Sequence, residues 1–202
     1  IARLVGSEMC IRDSICSESI TWNRQIRKKF IKALMINTKN ANTFTGTQGA
    51  EALESLSKNL AKNLTLREAQ KKGGTSQVIK PNEILFASTG VIGEKFPTQQ
   101  IKNNTPQLVE KLRDKQNKFI WFKAAASIMT TDTRPKLAYE ECRIWNKDIR
   151  LSAIAKGSGM ISPNMATMLA FVFTDAEIPS VFLKSLLKRA RTNTFNAITV
   201  DS

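Results

Sequence analysis

The alternation of short apolar runs with segments of helical periodicity is the feature that most constrains the fold of this chain. Three runs have the length and bulk of buried strands: Ile31–Ile36, Ile84–Ala87 and Leu169–Thr174. Between the first two, apolar residues recur every three or four positions, as on one face of a helix. These residues are Ala50, Leu53, Leu56, Leu60 and Leu64. Strands that alternate with helices predict an α/β protein with mixed layers of helix and sheet.

Two further helices are predicted in the middle of the chain. Thr105-Pro106 is typical of a helix start, with the proline at the first helical position. A second, apolar helix is expected over Phe119–Met129. The segment before them, Arg67–Glu83, contains Gly73-Gly74 and is predicted to be a surface loop.

A hairpin, a helix and a strand are predicted toward the end of the sequence. Arg143–Trp145 and Ile149–Ile154 are expected to pair around a turn at Asn146-Lys147. Pro179–Ala190 is predicted to be a helix, and Phe195–Val200 a closing strand. The inward face of that helix is expected to carry Phe182, Leu183, Leu186 and Leu187.

Histidine is absent from all 202 residues. This excludes Ser–His and Cys–His nucleophile–base pairs and removes the commonest transition-metal ligand. The three cysteines are scattered and form no CxxC pair, so they indicate neither a zinc site nor a disulfide framework. We therefore expect no metal and no cofactor.

The net charge is strongly positive, at +14 from 31 Lys and Arg against 17 Asp and Glu. The basic residues are dispersed and not interleaved with aromatic ones, which favours solvated helix faces over a nucleic-acid surface. No run of about 18 apolar residues could span a membrane, and no basic segment followed by an apolar one indicates secretion. A cytoplasmic protein without nucleic-acid or membrane partners is expected. A positive cleft would also attract a small anionic substrate.

The first residues have an unusual origin. Residues 4–14 read LVGSEMCIRDS, which resembles the translation of an adapter used to prepare sequencing libraries. We therefore expect residues 1–14 to be an adapter-like leader that is not native.

A glycine-containing stretch precedes the predicted strand Leu169–Thr174. Residues 156–169 read KGSGMISPNMATML. Gly157 and Gly159 permit close approach of the backbone, and Pro163 stiffens the chain before Thr167. On physical grounds alone, this pattern is typical of an ordinary turn before a buried strand.

Four motifs in order give that stretch a more specific meaning. Residues 37–49 read NTKNANTFTGTQG, residues 87–93 read ASTGVIG, and residues 127–133 read SIMTTDT. With the stretch from Lys156, they resemble the motifs of the bifunctional ornithine acetyltransferase family, also called glutamate N-acetyltransferase. The resemblance covers nearly all of residues 31–202. It implies an ornithine-acetyltransferase-like fold that is incomplete at both ends.

The resemblance implies that the precursor cleaves itself between Ala166 and Thr167. Thr167 would then be an N-terminal nucleophile whose own α-amino group, with a reference pKa near about 8, serves as its general base. Such an enzyme needs no histidine. Residues 15–166 would belong to the α chain, and residues 167–202 would begin the β chain.

The resemblance also assigns the reaction and the remaining site residues. An acetyl group would pass from N-acetylornithine to Thr167 and then to glutamate, with acetyl-CoA as a further candidate substrate. Thr89 and Gly90 would form the oxyanion hole, while Thr133 and Lys156 would bind substrate. The family suggests an α2β2 heterotetramer.

Other interpretations of these residues remain open. Thr89-Gly90 is also typical of a strand-to-turn transition, Lys156 is one of many lysines, and Thr133 lies in a polar cluster. Asn37, Asn40 and Asn42 could pack near the site or serve only as turn formers. Lys39 stands where the family often has glycine. Two alternative functions are a related N-terminal-nucleophile aminopeptidase and a basic, non-enzymatic binding module.

Overall fold

The computed structural model describes residues 3–5, 16–26, 31–71, 73, 77–115, 117–158 and 168–198, with the backbone alone for 3–5 and 180. The chain divides into two compact units: Asp13–Lys115, and Ile1–Arg12 together with Gln116–Ser202. The helices and strands, in chain order, are β1 (Arg3–Val5), α1 (Glu18–Gln25), β2 (Ala33–Asn37), α2 (Gly46–Lys71), β3 (Ile84–Ser88), α3 (Thr98–Glu110), α4 (Lys118–Ser127), β4 (Lys136–Ile144), β5 (Lys147–Lys156), β6 (Leu169–Thr174) and α5 (Ser180–Thr192). Both units combine helices with a sheet, which confirms the predicted α/β class.

The unit formed by Asp13–Lys115 is built on the parallel strands β2 and β3, paired from Ala33↔Ile84 to Asn37↔Ser88. Parallel neighbours need a long crossover connection, and α2 supplies it. The apolar face of α2 packs against these strands and α3, which confirms the predicted helical face except at its first position, since Ala50 is exposed. The core contains Ala52, Leu53, Leu56, Leu60, Ala61, Leu64, Ile84, Phe86, Phe96 and Val109.

Helix α1 covers the free edge of β3 through polar contacts with its backbone. The Asn23 amide donates to the carbonyl of Phe86 (2.7 Å) and accepts from the Phe86 N–H (3.0 Å). The Trp22 indole N–H donates to the carbonyl of Ile84 (3.0 Å), and its ring packs edge-on against Phe86. These bonds pair groups that an edge strand would otherwise leave open.

The other unit contains an antiparallel sheet in the order β1-β6-β5-β4. The predicted hairpin is confirmed as β4 and β5, paired from Lys136↔Ala155 to Ile144↔Lys147. Its turn lies at Trp145 and Asn146, one residue earlier than predicted. Strand β6 has the predicted bounds, and Trp121 of α4 packs edge-on against its Phe173.

Residues 3–5 pair with the outer edge of β6. The N–H and C=O groups of such an edge accept an extended segment with little regard to its side chains. That residues 1–14 are not native stays a prediction.

Helix α3 begins seven residues before the predicted N-cap at Thr105. It runs from Thr98 to Glu110 with Pro106 in its interior. Thr105 lies inside the helix too, where its hydroxyl donates to the carbonyl of Ile101 (2.8 Å). Packing of Ile101 and Val109 against α2 holds the helix together across the proline.

Three other expectations fail wholly or in part. Phe195–Ala197 form a short 3-10 turn, not a strand, and the end of the predicted strand lies outside the described residues. On α5, Phe182 and Leu186 are exposed, whereas Leu183 and Leu187 of the predicted inward face are half-buried. Arg67–Lys71 continue α2 instead of starting a loop, because Arg67 is anchored to the carbonyl of Leu112 (2.9 Å).

Candidate functional site

Thr89 and Gly90 follow directly after β3, whose five residues are all buried. The chain turns there against the residues after β2, with Thr89 N–H bound to the carbonyl of Asn37 (3.1 Å) and Val91 N–H to that of Lys39 (3.0 Å). Between these two bonds, neither the Gly90 N–H nor the Thr89 hydroxyl has a partner among the residues that the structure describes.

Only glycine fits at position 90. Its φ of +136° lies in a region that L side chains rarely adopt. A Cβ there would lie 2.1 Å from the carbonyl carbon of Lys39 and 2.5 Å from the Asn40 nitrogen. These are backbone atoms that cannot rotate away.

Lys39 itself occupies a left-handed position, with φ of +74°. This accounts for the glycine that the resembled family often has there, since glycine adopts such a backbone without strain. Lysine at position 39 therefore costs backbone energy that glycine would not cost.

The three asparagines serve as turn formers that also hold the Gly90 loop. Asn37 donates to the carbonyl of Asn40 (2.9 Å), whose side-chain oxygen accepts from the Asn42 N–H (2.9 Å). The Asn40 amide reaches the carbonyls of Glu94 (3.2 Å) and Lys95 (3.3 Å) on the far side of the loop. Asn40 thus joins the chain after β2 to the loop after β3.

Lys156, the last residue of β5, lies in the unit that contains the antiparallel sheet. It is 5% exposed, which separates it from the solvated lysines of this basic chain. Its ammonium donates to the Thr130 hydroxyl (3.3 Å). Within the part of the chain that the structure describes, this hydroxyl is its one hydrogen-bond partner, and a buried cation is suited to an anionic ligand.

Asp132 supplies the negative charge of this cluster. Its carboxylate accepts from the N–H of Gly157 (2.8 Å) and of Thr130 (3.4 Å), and it is ion-paired with Lys136. Asp132 lies within the motif at residues 127–133, but its sequence context alone predicts no role for it. An acidic side chain between polar threonines, ahead of a strand, was the available indication.

The pKa values of the two buried charges shift downward for different reasons. Burial lowers the pKa of Lys156, and the nearby Asp132 carboxylate opposes this in part. Burial alone would raise the pKa of Asp132, but the hydrogen bonds from Lys136 and from the N–H groups of Gly157 and Thr130 outweigh it and lower that pKa.

Thr133 is exposed beside Asp132, and its hydroxyl contacts no hydrogen-bond partner among the described residues. Ala166 and Thr167 lie outside the described residues.

The two ends of the connection between β5 and β6 lie next to each other. Lys156 pairs with Leu169, and a Cβ on Gly157 would lie 3.4 Å from the Cα of Met168. Gly157 and Met168 therefore face each other where the glycine-containing stretch leaves and rejoins the sheet.

Within the described residues, no cluster of three or more Cys, Asp or Glu side chains is placed to hold a metal ion. None of the described helices combines the length and apolar character that crossing a bilayer requires.

The sequence matches known proteins over nearly its whole length. The model of the ArgJ family matches residues 5–202. The "Arginine biosynthesis bifunctional protein ArgJ" of Gluconobacter oxydans is 40% identical over 186 residues, covering 91% of this chain and 39% of that protein. The protein of the same name from Methylococcus capsulatus is 41% identical over 191 residues, covering 94% of this chain and 42% of that protein. The chain thus spans about two fifths of the length of these relatives.

Two crystal structures share the fold. One is the arginine biosynthesis bifunctional protein argJ of Bacillus halodurans, with a TM-score of 0.60 and 23% identity over 82% of this chain and 75% of that chain. The other is the ornithine acetyltransferase of Mycobacterium tuberculosis complexed with ornithine, with a TM-score of 0.58 and 22% identity over 78% of this chain and 74% of that chain. The predicted ornithine-acetyltransferase-like fold is confirmed.

Proposed function

The chain belongs to the ArgJ family, and from this premise we propose that the whole protein is an acetyltransferase of arginine biosynthesis. It moves an acetyl group from N-acetylornithine to glutamate through an acetyl-Thr167 intermediate. Its relatives are named as arginine biosynthesis proteins, which supports the pathway, and the M. tuberculosis neighbour was solved with ornithine.

The pairing of Lys156 with Leu169 is the observation that carries the proposal. Leu169 follows Thr167 by two residues, so the proposed nucleophile is covalently tied to the strand position opposite a buried cation. An N-acetyl amino acid carries a carboxylate, which that cation would bind while its amide carbonyl faces the threonine hydroxyl.

Self-cleavage would prepare the nucleophile. The Thr167 hydroxyl oxygen attacks the carbonyl carbon of Ala166, the peptide C–N bond breaks, and the proton passes to the departing nitrogen. Water then hydrolyses the resulting ester. This releases the Ala166 carboxylate and leaves Thr167 with a free hydroxyl and a free α-amino group.

Acetyl transfer would follow by a ping-pong sequence. The α-amino group takes the hydroxyl proton as Thr167 attacks the acetyl carbonyl, and ornithine leaves with that proton on its nitrogen. The amine of glutamate then attacks the acetyl ester, which restores the threonine hydroxyl. The Thr89 hydroxyl and Gly90 N–H would stabilise the oxyanion of each tetrahedral intermediate, at about 3–4 kcal/mol per donor.

An acyl-transfer assay on the full-length protein tests the proposal. We expect N-acetylglutamate and ornithine to form in equal amounts from N-acetylornithine and glutamate, with parallel lines in double-reciprocal plots. Hydrolysis of amino-acid amides without transfer would instead indicate the aminopeptidase. Thr167→Ser keeps a hydroxyl and is expected to retain part of the rate that Thr167→Ala abolishes. Whether acetyl-CoA also serves as donor is read from the same assay.

The remaining parts of the proposal concern the assembly and its location. The protein is expected to bind no cofactor, to form an α2β2 heterotetramer of cleaved chains, and to act in the cytoplasm. Native mass spectrometry of the cleaved protein measures the stoichiometry directly.

A further inference from the structure

The carboxylate of Asp132 is the centre of a buried polar cluster. No part of its side chain is exposed. Three donors hold it: the N–H groups of Gly157 and Thr130, and the ammonium of Lys136. A carboxylate with three donors is fixed in place, since any movement would leave buried groups unpaired.

We propose that Asp132 is a positioning residue for acetyl transfer, which holds the Lys156 ammonium and the Gly157 backbone in the arrangement that receives the carboxylate of the substrate. The kinetic consequences of this role rest on the proposed function. The effect of Asp132 on the Lys156 ammonium does not rest on it, and can be measured without any substrate.

The hydrogen bond to Gly157 fixes the first residue after β5. The 2.8 Å bond from the Gly157 N–H joins this point to the segment between α4 and β4, which also carries Thr130 and Thr133. Since Gly157 also faces Met168, Asp132 anchors the place where the stretch containing Ala166 and Thr167 leaves and rejoins the sheet.

The negative charge of Asp132 acts on the ammonium of Lys156. Among the described residues, that ammonium donates to the Thr130 hydroxyl at 3.3 Å, and the Asp132 carboxylate, itself ion-paired with Lys136 of β4, acts on it through its charge without forming an ion pair. Burial lowers the pKa of Lys156, and Asp132 opposes that effect. Without Asp132, Lys156 would lose its proton at a lower pH, and a neutral amine binds carboxylates poorly.

Asp132→Asn separates the charge from the hydrogen bond, because the amide oxygen can still accept from Gly157. The full-length protein, labelled with 13C at the lysine Cε, is titrated by NMR, with the Lys156 signal assigned from Lys156→Arg. We expect the pKa of Lys156 to fall in Asp132→Asn. The control is Asp148→Asn, an exposed aspartate of the β4–β5 hairpin, for which we expect no change. An unchanged Lys156 pKa in Asp132→Asn would overturn the proposal.

Kinetics supply the second measurement. We expect kcat/KM for N-acetylornithine to fall about a hundredfold in Asp132→Asn at alkaline pH. The alkaline limb of the profile of kcat/KM against pH should move to lower pH. Recovery toward the wild-type rate at lower pH would separate lost protonation of Lys156 from general damage. If wild type itself transfers no acetyl group, the proposed function fails, while the NMR titration still decides the role of Asp132.

A variant that fails to fold is also informative. If the buried cation of Lys156 is what Asp132→Asn leaves uncompensated, adding Lys156→Met removes that cation and should restore folding. A double variant that remains unfolded would show that Asp132 acts only as a scaffold, and the proposal would be rejected.

Discussion

At the scale of single residues, the candidate residues of one unit depend on a backbone with positive φ and those of the other unit depend on buried charge. Gly90 and Lys39 both have positive φ, and their backbones touch, which places the Gly90 N–H on a rigid turn. Lys156 and Asp132 are buried charges whose partners lie within one cluster. Each feature costs stability locally and is maintained by the surrounding structure, as is common at functional sites.

Gly90→Ala is predicted to destabilise the protein by about 2–4 kcal/mol, because its Cβ would collide with the Lys39 backbone. Gly93→Ala is the matched control. Its φ is also positive, at +82°, but a Cβ there meets no atom within 4 Å. It should cost only the backbone strain, about 1–2 kcal/mol. Urea unfolding measures both, and equal losses would contradict the close packing at Gly90.

The stability contributed by Asp132 is predicted to disappear in acid. Because hydrogen bonds hold its folded pKa below the unfolded value, this contribution is full above the unfolded pKa and is lost as the pH falls through the folded pKa. The difference in unfolding free energy between wild type and Asp132→Asn should therefore shrink from about pH 5 toward pH 2. Glu54→Gln is the control: its carboxylate also has a lowered pKa, through Lys58, but it is exposed and screened. A constant difference for Asp132→Asn would refute the prediction.

At the scale of elements, the placement of Lys156 depends more on the register between strands than on the strands themselves. The antiparallel pairing of β5 with β6 brings Lys156 opposite Leu169, which no periodicity argument could supply. The β4–β5 hairpin sets the register on the other side of β5. Its two-residue turn needs positive φ at both positions, for which Asn-Gly is preferred and Trp-Asn is unusual.

Trp145→Asn is expected to stabilise that hairpin by up to about 1 kcal/mol, since asparagine tolerates the left-handed backbone better. The indole is 95% exposed, so little packing is lost with it. Trp145→Ala removes the same indole but should bring no comparable gain. Thermal unfolding of the three proteins distinguishes the cases, and an equal gain in both variants would trace the effect to the indole instead.

At the scale of the whole molecule, the sequence predicted what local periodicity and motifs determine. The α/β class, β2, β3, β6 and the apolar face of α2 follow from side-chain patterns. The start of α3 did not, because packing of Ile101 and Val109 against α2 outweighs the preference of Pro106 for a helix start. Asp132 was missed because its importance lies in contacts with residues far along the chain, such as Gly157.

The central claim, that Thr167 is exposed by self-cleavage and then carries the acetyl group, is tested by intact mass spectrometry of the full-length protein. We predict two chains cut between Ala166 and Thr167. The chain that begins at Thr167 should gain one acetyl group when N-acetylornithine is added without glutamate. Thr167→Ala should give a single uncleaved and unacetylated chain. A wild-type protein that stays uncleaved yet transfers acetyl at full rate would contradict the account.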